Sequence, residues 1–230
     1  MIFTPLPVAP VKAPEAQGLP APEPLEEIAP ASVPDGPSAT AFALARAVAA
    51  AKDDPRPLAF VAARAWMNEH GHPFGWGCRA LGLPHERLIL VAAAREAETL
   101  WAMEEALKSS AVCAVLAPVA APSFLATRRL DFAARAGRSQ CLVLRPRPLA
   151  DLSAARLRWA ITAAPSAPHP LDPRAPGAAR LTAELVRSRT GQGGVFTLEQ
   201  DHETHGFRVA AGLADHGLSP RPRDGDARAA

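Results

Sequence analysis

The sequence contains no tyrosine, only three cysteines and only 5% aromatic residues. The cysteines, Cys78, Cys113 and Cys141, are odd in number and form no Cys-x-x-Cys pair, which favours a reducing compartment over a disulfide framework. Because large rings are scarce, a core must be built mainly from alanine, leucine and valine. The length of 230 residues allows one α/β domain with irregular ends.

A strong charge excess and a long apolar run are also lacking. The formal net charge of +2 is far from the basic excess typical of nucleic-acid-binding domains. The longest uncharged stretch, residues 111–127, is interrupted by Pro118 and Pro122 and is short for a membrane span. The amino terminus, Met-Ile-Phe-Thr-Pro, has neither the positive region nor the apolar centre of a secretory signal. We therefore expect a cytoplasmic protein without a membrane segment.

The two ends of the sequence differ in composition from its middle. Residues 1–24 contain seven prolines, which remove backbone donors and fix φ too often for a helix or a sheet, so we expect a flexible arm. Residues 219–230 are polar and are predicted to be disordered. The folded domain is expected to extend over residues 25–218.

Between these ends, short apolar runs alternate with helical segments. Runs without polar alternation predict strands that are covered on both faces, and strands joined by helices are typical of a parallel sheet. Beyond residue 145 the pattern predicts antiparallel strands, with a glycine-rich turn at residues 191–194. We expect strands at 25–30, 58–62, 87–91, 112–117, 141–144, 153–164, 180–189 and 195–199, and helices at 38–52, 94–108 and 123–137. Ser38 and Ser123 are the expected N-caps of the first and third of these helices, and Gly137 is expected to end the third. The predicted fold is α/β, with a mostly parallel sheet flanked by helices and an added C-terminal antiparallel hairpin.

The loop after the first strand is where an open α/β sheet would place a phosphate-binding loop. Gly36 and Ser38 stand where the second glycine and the hydroxyl residue of such a loop belong, but Pro37 replaces the lysine. Proline removes both the cation and a backbone donor. The strands at 58–62 and 112–117 also end without a carboxylate for water or metal. The sequence therefore predicts a degenerate site that binds no nucleotide cofactor.

Metal ligands and nucleophiles are no better represented. The spacing of His70, His72, Cys78 and His85 matches no tetrahedral zinc pattern. The sequence His-Glu-Thr-His at residues 202–205 lacks the helical i,i+4 histidine pair of a metalloprotease. No Gly-x-Ser-x-Gly elbow presents a serine. We expect neither a metal nor a catalytic residue.

Exposed large and cationic side chains are the remaining candidates, and they point to protein partners. Trp101 is predicted to lie on the polar side of its helix, where it either anchors a partner or is covered by the chain's own loops, such as the segment with Trp76. Trp76 is itself a second candidate for contact with a partner. Arg128, Arg135 and Arg138 are predicted to share one side of the next helix. They form either a solvated face or a contact for phosphate or an acidic partner.

Several segments together carry a family resemblance. They read LGLPHERLILVAAAREAETLWAMEEALKSSAVCAVLAPV, TRRLDFAARAGRSQCLVLRP, SAARLRWAITAAPSAPHP and ETHGFRV. The sequence resembles the ImuA family from about residue 25 to residue 209. That family consists of RecA-related accessory proteins of the bacterial damage-inducible mutagenesis system, and it is similar also to SulA-type division inhibitors.

The resemblance implies a RecA-like core without ATPase activity. It also implies partners: an ImuB-type polymerase-like protein, an error-prone replicative polymerase and RecA. The short loops at residues 118–123 and 145–153 leave little to insert into single-stranded DNA, so direct DNA contact stays open. Two alternatives remain, a SulA-type inhibitor that binds a tubulin-like filament protein and a nucleotide hydrolase with a rearranged site.

Overall fold

One mixed nine-stranded sheet carries the fold in the computed structural model, which describes residues 18–172, 174–188, 193–201 and 206–210. The strands are β1 Leu25–Pro30, β2 Leu58–Ala63, β3 Leu88–Ala93, β4 Ala114–Pro118, β5 Gln140–Leu144, β6 Leu157–Ala164, β7 Arg180–Ser188, β8 Gly194–Gln200 and β9 Phe207–Val209. The helices are α1 Gly36–Ala51, α2 Arg64–His70, α3 Gly75–Ala80, α4 Glu96–Lys108 and α5 Phe124–Gly137. Short 3-10 turns cover Val33–Asp35 and His85–Arg87.

The strand order is β3-β2-β4-β5-β1-β6-β7-β8-β9, and pairing is parallel from β3 to β6 and antiparallel from β6 to β9. This order confirms the predicted α/β fold with a mostly parallel sheet and antiparallel strands near the C-terminus. The chain first runs from β1 outward to β3 and then returns through β4 and β5. Since parallel crossovers are right-handed, that reversal puts the later helices on the opposite face of the sheet.

Each face of the sheet has its own core. On one face α1 packs Phe42 and Ala43 against Ile28 and Trp159, and the region of α2 and α3 contributes Met67. On the other face α4 and α5 cover the sheet with aliphatic side chains; among them are Met103, Leu107, Leu130 and Ala134. Complete burial of one such side chain stabilises the fold by about 1.5–3 kcal/mol. The two faces are therefore separate packing units joined by the strands.

The first helix begins earlier than the sequence predicts. It starts at Gly36, with Asp35 in the N-cap position, so the expected cap at Ser38 is wrong. Pro37 lies in the first turn, where its missing N–H would have no partner within the helix anyway. The proline that stands in the predicted lysine position is thus compatible with helix initiation.

Helix α5 agrees with its prediction at the amino end and differs at the carboxyl end. The Ser123 hydroxyl accepts a hydrogen bond from the Ala126 N–H at 3.1 Å, as an N-cap should. Gly137 does not provide the left-handed cap; the next residue, Arg138, takes that conformation with φ of 50°. Gly137 is needed for another reason, because a Cβ there would lie 1.8 Å from the Leu107 carbonyl oxygen of α4.

The prediction that strand β3 is covered on both faces is wrong. Among the described residues it pairs with β2 alone and forms one edge of the sheet. Ile89 is 43% exposed and Leu90 is 46% exposed. The sequence does not reveal this because an edge strand and a central strand of a parallel sheet can carry the same apolar run. The glycine-rich connection before β3 also contains the two short helices α2 and α3.

The predicted arm and tail lie mostly outside the described residues, which begin at Gly18 and end at Ala210. The described end of the arm lies on the domain: Leu19 packs against the core, and the Pro20 carbonyl accepts a hydrogen bond from Arg46. The expected turn at 191–194 is only partly described, and its flanking strands β7 and β8 pair as an antiparallel hairpin.

Candidate functional site

The loop after β1 is closed by one of its own side chains. The Asp35 carboxylate accepts hydrogen bonds from the Ser32 N–H at 3.0 Å, the Ser32 hydroxyl at 2.5 Å and the Ala163 N–H at 2.8 Å. The hydrogen bond from the Ser32 side chain, followed by that from the Ala163 backbone, lowers the pKa of Asp35 below its ordinary value. Asp35 is 6% exposed, so a buried negative charge stands where a phosphate would require backbone donors.

The three residues predicted to form a degenerate phosphate loop fit this closed arrangement. Gly36 has helical dihedral angles, φ −49° and ψ −50°, and its carbonyl accepts a hydrogen bond from the Thr40 hydroxyl at 3.0 Å. Pro37 contributes no N–H to the first turn. Ser38 lies inside the helix, two positions after its first residue. The loop therefore continues directly into α1 and forms no cradle of free donors.

A second carboxylate binds backbone N–H groups at the carboxyl ends of the strands, in the loop after β4. Glu96, at the start of α4, accepts hydrogen bonds from the Ala120 N–H at 2.9 Å and the Ala121 N–H at 3.2 Å. These two amides follow β4. Two of the backbone donors near the carboxyl ends of the strands are thereby bound to an acidic group, which leaves fewer donors for an anionic ligand.

The centre of the sheet holds two glutamates that reasoning from the sequence missed. Glu26 is fully buried, and its carboxylate accepts hydrogen bonds from Arg46 at 2.5 and 3.2 Å, from the Gln140 side chain at 2.8 Å and from the Trp159 indole at 3.0 Å. These partners all pack around α1 and the centre of the sheet. The side chain thus stabilises contacts between distant segments and is enclosed on every side by its donors.

Glu27 is also fully buried, and it is paired separately. It lies 2.9 Å from Arg158 Nε and 3.4 Å from Arg145 Nη1. Adjacent residues of a strand point to opposite faces, so the two carboxylates serve the two different cores. Adjacent glutamates in an otherwise apolar strand are the signal that could have identified both as buried ion-pair partners.

Helices α4 and α5 expose large apolar side chains to solvent. We call their outward surface the helical face, defined by Trp101, Leu125, Arg128 and Phe132. The apolar members are 63%, 65% and 63% exposed, in that order. Single exposed apolar residues are normal in proteins, but a group on one pair of helices is typical of an interaction surface.

An ion pair between the two helices fixes their relative level. Glu104 of α4 lies 2.6 Å from Arg129 Nη2 of α5 and 2.7 Å from Lys108 Nζ. Burial acts to raise the pKa of Glu104, but the hydrogen bonds from Lys108 and Arg129 outweigh it and the net shift is downward. Trp101 lies one turn before Glu104, and Leu125 lies one turn before Arg129. Because both helices connect parallel strands and run the same way, both apolar side chains lie on the amino-terminal side of this ion pair.

A groove of about 370 Å³ lies beside α5 and continues the helical face. Its residues on α5 are Phe124, Arg128, Asp131, Phe132 and Arg135, and its other wall is formed by Ser153, Ala154 and Arg187. The Ala154 N–H donates to the Thr127 hydroxyl of α5 at 3.0 Å, which holds the second wall against the helix. The groove is therefore built from parts that are fixed to one another.

The structure brings together only some of the side chains predicted to bind partners. Trp101, Arg128 and Arg135 lie on α4 and α5, on one face of the sheet. Trp76 is 71% exposed on α3, which packs with the core of the opposite face, so it does not cover Trp101. Arg138 lies at the carboxyl end of α5 and lines a different depression. The expected single stripe of Arg128, Arg135 and Arg138 is thus divided.

The described residues contain no group of three or more histidine, cysteine, aspartate or glutamate side chains that could hold a metal ion. His70 stacks on Trp66, with ring centroids 4.6 Å apart. The three cysteines are buried, and burial raises the pKa of each thiol. The histidines of residues 202–205 lie outside the described residues.

Within the part of the chain that the structure describes, no helix has both the length and the apolar character needed to span a bilayer. Comparison with protein-family models finds no matching family. Among solved structures, SulA from Pseudomonas aeruginosa aligns with 25% identity and a TM-score of 0.40, covering 54% of this chain and 98% of that one. A TM-score this low does not establish a common fold.

Curated relatives give a closer match. Protein ImuA from two strains of Caulobacter vibrioides, NA1000 / CB15N and ATCC 19089 / CIP 103742 / CB 15, is in each case 38% identical to this chain over 167 residues. The alignment covers 67% of this chain and 68% of each relative. The chain therefore belongs to the ImuA family.

Proposed function

We propose that this chain is a non-catalytic, RecA-like accessory protein of the cytoplasm that binds partner proteins in error-prone translesion DNA synthesis after DNA damage. Its proposed partners are an ImuB-type polymerase-like protein, an error-prone replicative polymerase and RecA. No cofactor is part of the proposal. Membership of the ImuA family supports the role in damage-induced mutagenesis.

The observation that carries the non-catalytic part is the closure of the loop after β1 by Asp35. The carboxylate binds the Ser32 N–H and the Ala163 N–H, so a triphosphate would have to displace it and approach its charge. Electrostatic repulsion between like charges at hydrogen-bond distance is large in a site that is only 6% exposed. In addition, Pro37 occupies the position of the lysine that would compensate the negative charge of the phosphates.

The partner-binding part is supported by the helical face. Contact energy in protein interfaces concentrates in a few large side chains, above all tryptophan, tyrosine and arginine. The chain has no tyrosine and four tryptophans; Trp101 is exposed on α4, and Leu125 and Phe132 are exposed on α5, which packs beside it. A protein without chemistry of its own acts through such contacts.

The non-catalytic part is tested by titrating the purified full chain with Mg-ATP in a calorimeter. We expect no saturable heat and no turnover. A thermal shift of several degrees with millimolar Mg-ATP would contradict the proposal, because a ligand at about a hundred times its Kd stabilises by about 2.7 kcal/mol. The variant Pro37→Lys should also stay inactive, since Asp35 still occupies the loop.

The partner-binding part is tested by copurification with the ImuB-type protein of the same organism, with and without DNA damage in the cells. Retention of that protein at a defined stoichiometry is the expected result. Overproduction of the chain gives a second measurement: filamentous cells that fail to divide, together with no retained ImuB-type protein, would replace the proposal by a division inhibitor.

A further inference from the structure

The groove beside α5 combines apolar walls with an excess of positive charge. Phe124 is 49% exposed and Phe132 is 63% exposed, and Arg128 lies between them on the same helix. These residues follow at i, i+4 and i+8, and Arg135 extends the row to i+11. At about 1.5 Å per residue the row is about 16 Å long. Aromatic and cationic side chains therefore alternate along one straight edge of α5.

The charge of the groove favours an acidic occupant. Three arginines line it, Arg128, Arg135 and Arg187, against one carboxylate, Asp131. Asp131 is already paired, 2.7 Å from Arg135 Nη2 and 3.6 Å from Arg156 Nε. Its charge is thus compensated within the protein, and the groove keeps a positive excess.

The opposite wall carries the third arginine, Arg187. Arg187 Nη1 donates to the Ser153 carbonyl at 3.4 Å, and Ser153 Oγ accepts from the Ala155 N–H at 3.0 Å. The guanidinium therefore lies across the groove from Arg128. An occupant between them meets cations on both sides and phenyl rings along the α5 wall.

We propose that this groove receives an acidic amphipathic segment of a partner protein, with apolar side chains on the phenyl rings of α5 and carboxylates toward Arg128 and Arg187. The assignment rests on the proposed function, because it names the surface and the chemistry by which a partner is held. The segment is about three helical turns long, since that length matches the 16 Å row.

Single-stranded DNA fits the groove less well. A strand tracks a groove through several phosphates, and its affinity grows with the number of cations that it meets. Here the row is short and apolar side chains alternate with the cations, while the formal net charge of the whole chain is only +2. A segment that carries carboxylates among apolar residues can contact both the arginines and the phenyl rings of the groove.

The test uses the full chain and a fluorescein-labelled amphipathic peptide with leucine and phenylalanine on one face and glutamate on the other. Fluorescence anisotropy measures its affinity, beside the same peptide with every glutamate replaced by glutamine and a labelled oligothymidylate. We expect the acidic peptide to bind at least about tenfold more tightly than the glutamine peptide, and this preference to shrink in high salt.

Matched variants locate the binding. Arg128→Glu and Phe132→Ser should each weaken the acidic peptide by about tenfold or more. The controls Arg138→Glu, at the other end of the same helix, and Leu171→Ser, an exposed leucine of a loop, should bind as the unmodified chain does. Circular dichroism of each variant shows whether it is folded, and a second pair, Phe124→Ser and Arg187→Gln, replaces any that is not.

Three results would overturn the assignment: no measurable binding of the acidic peptide, equal binding of both peptides, or tighter binding of the oligothymidylate. The copurification with the ImuB-type protein separates this failure from that of the proposed function. If the unmodified chain retains that protein and the groove variants retain it equally well, only the groove assignment fails. If the unmodified chain retains no partner, the proposed function fails, whatever the peptide does.

Discussion

Strand β1 and helix α5 reverse the usual distribution of side chains in a globular protein. β1 lies in the middle of the sheet and buries two glutamates completely, whereas α5 lies on the surface and exposes Phe124, Leu125 and Phe132. Buried charges need partners, and β1 supplies them for both of its carboxylates. The protein folds without covering the exposed rings, so these rings are available for contact with a partner protein. This difference supports the proposal that the chain acts through contacts made by its surface.

The largest effect is expected from Glu26→Ala. Removal of the carboxylate leaves the Arg46 guanidinium buried without its counterion and removes the acceptor of the Trp159 indole. We expect the free energy of unfolding to fall by about 3–5 kcal/mol. Urea unfolding measures it, with Glu105→Ala as the matched control, because that exposed helix glutamate pairs only with Lys108 and should matter by less than about 0.5 kcal/mol. If Glu26→Ala lowered the free energy of unfolding by less than about 1 kcal/mol, the contrast between the buried carboxylates of β1 and the exposed rings of α5 would not hold.

Trp101→Ala should behave in the opposite way. The side chain is 63% exposed, so we expect the free energy of unfolding to fall by less than about 1 kcal/mol. Partner affinity should weaken by more than about 2 kcal/mol, or about thirtyfold. Trp76→Ala, on the opposite face, should leave that affinity unchanged. A destabilised monomer with normal affinity in its folded fraction would show that Trp101 belongs to the core.

Asp35→Asn tests the closed loop and its pH dependence. The folded state lowers the pKa of Asp35 below its ordinary value of 3.8, so the stabilisation is present at neutral pH and is lost as the pH falls through the folded-state value. We expect the variant to be about 1–3 kcal/mol less stable at pH 7, with a difference that shrinks in acid. Asp53→Asn, an exposed carboxylate, is the control. A constant difference from pH 7 to pH 3 would contradict the assigned hydrogen bonds.

The smallest effect concerns the start of α5. Ser123→Ala removes the cap on the Ala126 N–H and should lower the free energy of unfolding by about 1 kcal/mol. Ser123→Asp keeps an acceptor at the same place and should restore most of it. Thermal unfolding of the pair decides, and equal stability of all three proteins would mean that solvent satisfies the helix end.

Local sequence patterns predicted where strands and helices lie more readily than which residues contact one another in the fold. The apolar run of β2 and the serine cap of α5 are readable within a few residues, and both agree with the structure. The burial of Glu26 is not readable in this way, because Gln140 and Trp159 are 114 and 133 residues away in sequence. Which strand forms the edge depends on the order of the whole sheet, so Ile89 and Leu90 were expected to be covered.

The candidate site was predictable to a similar degree. Pro37 in place of a lysine could be noticed from the sequence, but the role of Asp35 could not, since its Ala163 partner belongs to β6. Helical periodicity placed Trp101 on the polar side of α4. It did not separate Arg138 from Arg128. Arg138 follows the last residue of α5 and takes a left-handed conformation, so helical periodicity does not apply to it.

The contact at Gly137 has a consequence for how tightly a partner can be held. A Cβ at this position would lie 1.8 Å from the Leu107 carbonyl oxygen, so the ends of α4 and α5 touch backbone to backbone. Together with the ion pair between Glu104 and Arg129, this contact leaves the two helices little freedom to slide or rotate. A surface that is already in its bound geometry loses little conformational entropy when a partner arrives, and more of the contact energy remains as affinity.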